Sequence, residues 1–209
     1  MPETTLSQLT LEKSPAYFIN KGAPQRVLQL DPAMKLIIVV RNPITRAISD
    51  YTQAISKRKK RSILPQFESI AVKNYTSAHK GNKTVVNTSW GAIRIGVYHK
   101  FVSKWLQYFP LSQMHFVDGE RLIKDPAAEV RAAERFLGFE PTVNRSNFAI
   151  DPIKGFPCVL RPDNSLHCLG KTKGRIHPTV DPTVIRILQD YYANENEKLF
   201  QLINRRFNW

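Results

Sequence analysis

The sequence predicts an α/β domain built on a parallel sheet, and three observations carry that reading. Lys35–Val40 is a nearly continuous apolar run, the pattern of a strand buried on both faces. Arg41-Asn42-Pro43 breaks it, and an amphipathic helix follows at once. The same strand-then-helix order returns at Met114–Val117 and Asp125–Leu137. With 209 residues, no internal repeat and no low-complexity linker, residues 1–209 read as one folding unit.

Each element has a local cause. The helix after the first strand is expected over Ile44–Ser56, with Ile44, Ala47, Ile48, Tyr51 and Ile55 on one side. Lys57–Arg61 is an unbroken basic run, a solvated face by pattern, and residues 62–88 read as polar and loop-rich, with an amphipathic stretch at Phe67–Val72. From Trp90 the helical period returns through Ile93, Val97, Phe101, Trp105 and Tyr108 and stops at Pro110. A turn at Asp118-Gly119 follows the second strand. Asp125-Pro126 supplies an N-cap and a first-turn proline, and Gly138 closes that helix. Residues 151–178, rich in Pro, Gly and Cys, read as a hairpin or long loop. Asp181-Pro182 opens a final helical region with an expected break near Asn194–Asn196, and the chain ends on the basic, aromatic Arg205–Trp209. Two convincing strands fall short of the about five of an ordinary open sheet, so the sheet is expected to be incomplete at its N-terminal end and to leave apolar surface exposed.

Composition narrows the function. Hydrophobic residues make up 42% and charged residues 23%, a globular balance. No apolar window is long enough to span a membrane, and Met1–Thr5 does not open a signal peptide. Lys plus Arg number 31 against 17 Asp plus Glu, a formal net charge of +14 that draws polyanions and speeds their encounter. Nucleic acid is one such partner, but no recognised nucleic-acid motif accompanies the charge.

Compartment evidence comes from two sources. Sequons begin at Asn74, Asn82, Asn87 and Asn144, three of them close together, as in a glycosylated surface segment. Cys158 and Cys168 lie in a turn-rich stretch and are either a local disulfide or two thiols. A zinc site from Cys158, Cys168, His167 and His177 is a rival whose spacing fits no standard pattern.

Two segments have the chemistry of anion binding. Arg41 leaves the carboxyl end of a buried strand, where open α/β sheets bind ligands, and a helix start just after it adds dipole and N–H groups. Ser49 and Gln53, four apart, share a face of that helix. An arginine fork with a hydroxyl is a phosphate clamp, while the plainer alternative pairs Arg41 with Asp50 and leaves Ser49 to packing. In Gly170-Lys171-Thr172-Lys173-Gly174-Arg175-Ile176-His177-Pro178, two glycines bracket cations in a loop able to approach an anion closely. Lys13-Ser14-Pro15-Ala16 could present an ammonium before the aromatic Tyr17-Phe18, or simply a solvated lysine. Trp90-Gly91 offers a core tryptophan or a sugar-stacking one. No Ser-His-Asp arrangement, metal motif or Walker A sequence is legible.

Taken together, Glu12–Phe18, Val40–Pro43 with Ser49–Gln53, and Cys168–Pro178 resemble the heparan sulfate glucosamine 3-O-sulfotransferases in order and spacing, over nearly the whole chain down to Phe207-Asn208-Trp209. The resemblance implies a P-loop-kinase-like α/β fold and transfer of a sulfuryl group from 3′-phosphoadenylyl sulfate (PAPS) to a glucosamine 3-hydroxyl of heparan sulfate. It implies that Arg41 and Ser49 hold the 3′-phosphate of PAPS and that Lys173, Gly174, Arg175, Ile176 and His177 border the nucleotide. It implies that Lys13, Ser14, Pro15, Ala16, Gln53, Trp90 and Gly91 touch polysaccharide, that Cys158 pairs with Cys168, and that the protein works in the Golgi lumen; a monomer with heparan sulfate and no nucleic acid as partner is expected. The family's glycine-rich phosphosulfate loop and its general-base glutamate precede the matched segment, so this chain alone is expected to turn over little. The competing expectation is a non-catalytic heparin-binding fragment.

Overall fold

The computed structural model describes residues 8–57, 65–77, 81–153, 155–170 and 174–209. Its helices are α1 Ala23–Leu30, α2 Pro43–Lys57, α3 Phe67–Ala71, α4 Gly91–Ile95, α5 Tyr98–Trp105, α6 Gly119–Lys124, α7 Pro126–Leu137 and α8 Pro182–Ile203. Its strands are β1 Leu36–Val40, β2 Val72–Ser77, β3 Gly81–Val86, β4 Met114–Asp118, β5 Phe148–Ile150, β6 Pro157–Leu160 and β7 Leu166–His167.

The two predicted strands pair with each other in parallel, Leu36 opposite Met114 through Val40 opposite Asp118. Around them lies one core of Val40, Tyr98, Val102, Trp105, Phe109, Met114, Phe116, Leu199 and Phe200, closed by Phe207 and Trp209. A second core gathers Ile44, Ala47, Ile48 and Tyr51 of α2 with Phe67, Ile93, Leu188 and Tyr192. Helix α8 contributes to both cores and joins them.

The two sides of the small sheet differ. At β4, side chains occupy backbone positions that a neighbouring strand would use: Arg205 donates to the Phe116 carbonyl, and the Glu129 carboxylate accepts from Asp118 N–H at 3.0 Å. Among the described residues no side chain bonds to the backbone of β1, and Val39 remains 57% exposed, as the incomplete sheet led us to expect.

Several expectations are corrected. The helix from Trp90 is two helices, because Gly96 is a three-way contact: a Cβ there would lie 2.6 Å from Tyr192 Oη and 2.9 Å from Pro43 Cβ. Asp118-Gly119 is no turn; the Asp118 carboxylate accepts from Glu120 N (2.9 Å) and Arg121 N (3.2 Å) and starts α6. Residues 72–86 hold an antiparallel hairpin, β2 on β3, rather than loop. Within it Asn74 accepts a hydrogen bond from Thr84, and Asn87, just beyond, donates to the Ile70 carbonyl. Helix α8 runs unbroken through Asn194–Asn196, since Asn196 is itself buried between Tyr192 and Leu199 on the packed side. The hairpin expected within residues 151–178 does form, as β6 on β7, and β5 extends it to a three-stranded antiparallel sheet. Of the basic run, 58–61 lie outside the described residues. No described helix is long and apolar enough to cross a membrane.

Candidate functional site

Parallel pairing brings the carboxyl ends of β1 and β4 to one edge, so Arg41, just past Val40, meets Glu120, just past the end of β4. That edge is where open α/β sheets bind ligands. Arg41 Nε lies 3.3 Å from Glu120 Oε1 and Nη2 lies 3.5 Å from Oε2, with the side chains 26% and 29% exposed. The guanidinium is therefore held in place yet still reachable. Gly119 makes room for it: a Cβ there would sit 2.9 Å from the Val40 carbonyl and closer still to Arg41 Cγ. Behind the pair, Tyr98 donates to the Arg41 carbonyl at 3.0 Å. Burial pushes the Tyr98 phenol above its ordinary pKa, so it remains a neutral donor.

The pairing of Arg41 with Asp50 does not form. Asp50 takes Arg46 instead, Nη1 to Oδ2 at 2.5 Å, and the other end of that guanidinium donates to the Ala92 carbonyl, tying α2 to α4. The start of α2 also differs from expectation. Pro43 has no N–H, Asn42 Oδ1 accepts from Ile44 N (2.9 Å) and Thr45 N (3.4 Å), and Arg46 N–H bonds to the Asn42 carbonyl. The first turn thus has no N–H to spare for an anion; the helix contributes its dipole and its side chains. Ser49 and Gln53 are half-buried on successive turns of α2.

The second predicted segment returns to this notch in part. His177 is half-buried and close enough to Arg41 and Glu120 to feel both charges. Burial first, then the Arg41 cation, lower its pKa, with Glu120 opposing, so the imidazole is neutral at pH 7. Gly174 has φ +65, and a Cβ there would lie 3.2 Å from the Phe156 ring, so this position calls for glycine twice over. Arg175 is half-buried, whereas Ile176 is 95% exposed. Lys173 lies outside the described residues. Cys158 and Cys168 form a disulfide that fastens β6 to the segment after β7, just before this loop. With both thiols consumed, the zinc arrangement does not form.

Lys13, Pro15 and Ala16 are exposed and Ser14 is half-buried in a turn whose Ser14 carbonyl accepts from Tyr17 N–H at 3.3 Å. Phe18 anchors the turn: Trp105 Nε1 donates to its carbonyl at 3.1 Å, and its ring packs on Phe101 and Tyr98. Since Tyr98 also fixes Arg41, α5 carries both features. Trp90 is half-buried edge-on against Phe67, so its ring is largely a packing group, while a Cβ at Gly91 would meet nothing within 4 Å. Glu120, Gly119 and Tyr98 were missed from sequence. The end of the second parallel strand, by the same edge rule that singled out Arg41, was the signal that could have found Glu120.

The Sulfotransferase domain family matches residues 8–202. The chain belongs to that family. It is 46% identical over 211 residues to heparan sulfate glucosamine 3-O-sulfotransferase 3B1 of Mus musculus, covering 100% of this chain and 52% of that one. To the human 3A1 protein of the same name it is again 46% identical, over 50% of that chain, and to human heparan sulfate glucosamine 3-O-sulfotransferase 5 it is 40% identical, over 59%. The chain thus spans about half the length of the curated relatives it matches. A crystal structure of a sulfotransferase from Alicyclobacillus acidocaldarius superposes with TM-score 0.59 at 19% identity, covering 91% of this chain and 63% of that one, which shows a shared fold. In a sulfotransferase, an accessible guanidinium at a sheet edge, backed by a neutral imidazole and a fixed carbonyl, can hold a phosphate by charge and paired hydrogen bonds.

Proposed function

We propose that this chain carries the 3′-phosphate and polysaccharide side of an enzyme that transfers a sulfuryl group from PAPS to the 3-hydroxyl of glucosamine in heparan sulfate. In that reaction the acceptor oxygen attacks sulfur, its proton passes to a base, and the sulfur–oxygen bond to the phosphate breaks to release adenosine 3′,5′-bisphosphate. The observation that carries the reading is the partly exposed Arg41 guanidinium at the carboxyl end of β1, near enough to His177 for its charge to be felt there.

In this reading Arg41 and Ser49 take the 3′-phosphate, and the loop from Lys173 through Gly174, Arg175, Ile176 and His177 borders the nucleotide. Glu120 holds the guanidinium until the phosphate competes for it. The exposed turn Lys13–Ala16, with Gln53 and the open backbone at Trp90-Gly91, receives polysaccharide. The +14 charge supports a polyanionic acceptor. The disulfide and the sequons support a glycosylated protein of the secretory pathway, in this reading one of the Golgi lumen.

The test is thermal stabilisation by adenosine 3′,5′-bisphosphate, since a ligand bound to the native state raises the melting temperature by mass action. Arg41→Ala should weaken affinity roughly 10- to 100-fold, the loss of a hydrogen-bonded charge pair of about 1.5–3 kcal/mol. Equal stabilisation of the unaltered and Arg41→Ala chains refutes the assignment.

A further inference from the structure

Successive residues of α6 face different ways. Glu120 meets Arg41, and Arg121 turns to α7, where its Nε lies 3.5 Å from Glu129 Oε1. There, apart from the nucleotide notch, four guanidiniums surround one open trough of about 530 Å³: Arg121, Arg131, Arg135 and Arg205, over a floor of Ala128 and Ala132.

The trough is built rather than incidental. Ala128 and Ala132 lie one turn apart on α7, as do Arg131 and Arg135, so small side chains hollow the surface exactly where long cations can line it. Beneath, Glu129 is buried at 3% side-chain exposure; besides Asp118 N–H it holds Arg121 and, at 3.8 Å, Arg205. That carboxylate orients two of the guanidiniums and neutralises one charge, leaving the trough strongly cationic. Arg131 and Arg135 are exposed, and neither is in a salt bridge with a described residue.

We infer that this trough is a second binding site for a sulfated polysaccharide, separate from the Arg41 notch. Guanidinium forks match sulfate and carboxylate groups bidentately, and several of them along a hollow suit an acceptor bearing anionic groups at intervals. Besides the four arginines and two alanines the lining includes only the Glu129 carboxylate that orients Arg121 and Arg205, and no aromatic ring among the described residues, so the trough lacks the stacking platforms with which proteins hold single-stranded nucleic acid. The inference rests on the polysaccharide half of the proposed function; it does not depend on the nucleotide half.

The test compares two charge-matched variants of the full chain. Arg131→Gln with Arg135→Gln strips the trough but leaves Glu129 with both of its arginines; Lys100→Gln with Lys104→Gln removes the same charge from exposed positions of α5. Affinity for heparin is measured across a salt series. The trough variant should lose roughly fivefold in affinity and its salt slope should flatten by about one to two, since each lost anion contact releases fewer counterions, while the α5 variant changes by less than about twofold. Both should bind adenosine 3′,5′-bisphosphate as the unaltered chain does. An equal loss in the α5 variant, or displacement of heparin by single-stranded DNA of matched charge, overturns the site. If the unaltered chain does not bind heparin, the polysaccharide reading falls with it; if it binds and the trough variant matches it, the trough alone falls.

Discussion

Replacing Gly119 by alanine is the sharpest probe of how the notch is held. The added methyl would sit 2.9 Å from the Val40 carbonyl oxygen, a backbone atom unable to step aside, and nearer still to Arg41 Cγ. The start of α6 must therefore shift, carrying Glu120, and the arginine stem must swing away. Overpacking of this kind costs about 1–3 kcal/mol. Against it, alanine restricts the unfolded chain and returns about 0.4–1 kcal/mol. The net, centred on about 1.3 kcal/mol, corresponds to a fall of roughly 3–5 °C in melting temperature for a chain of this size. Because the displaced group is the proposed phosphate clamp, affinity for adenosine 3′,5′-bisphosphate should drop about tenfold, or 1.4 kcal/mol. Gly91→Ala is the control: nothing lies within 4 Å of its Cβ, so neither quantity should fall. Differential scanning fluorimetry with and without nucleotide reads both. A Gly119→Ala chain that melts and binds like the original would show that Arg41 is not confined as described.

Two further outcomes follow from the surroundings of the notch. Burial first, then the Arg205 cation, lower the pKa of His115, and burial with Arg41 lowers that of His177, so the folded chain binds fewer protons than the unfolded one just below pH 6.5. Stability should therefore fall as pH drops from 7 toward 5, and His115→Phe, which keeps a ring against Phe136, should flatten the melting-temperature profile over that window; an unchanged slope would count against it. Reducing the Cys158–Cys168 disulfide, which closes a short loop with a sequence separation of 10, should cost about 3 kcal/mol on chain-entropy grounds. Reductant should lower the melting temperature and weaken nucleotide binding, whereas a Cys158→Ser and Cys168→Ser chain should already show both losses and respond no further to reductant; a chain that reductant leaves unchanged would count against the disulfide's role.

Much of the scaffold was legible because its causes are local. The apolar run of β1, the helix that follows it at once as α2, and the Asp125-Pro126 and Gly138 ends of α7 each depend on a few adjacent residues, and all appear close to the expected places. What escaped depends on distant partners. Strands β2 and β3 are mostly polar and show no alternation; Val72 and Val86, at the base of the hairpin, pack against the second core. Asn194–Asn196 reads as a helix break, yet the flanking Tyr192 and Leu199 are buried and hold the helix through it. In the site, Arg41 was found from its strand end, but its partner Glu120 lies 79 residues away, and only the parallel register of β1 on β4 brings them together.

The asymmetry of that register has a last consequence. Arg205 and Glu129 already satisfy ladder groups of β4, so that flank is sealed against growth and against accidental pairing between molecules. Any additional strand has to be accepted at β1, on the flank that leads straight to Arg41. Growth of the sheet is therefore confined to the flank that ends at Arg41, and a strand that joined there in parallel would bring its carboxyl end beside the guanidinium.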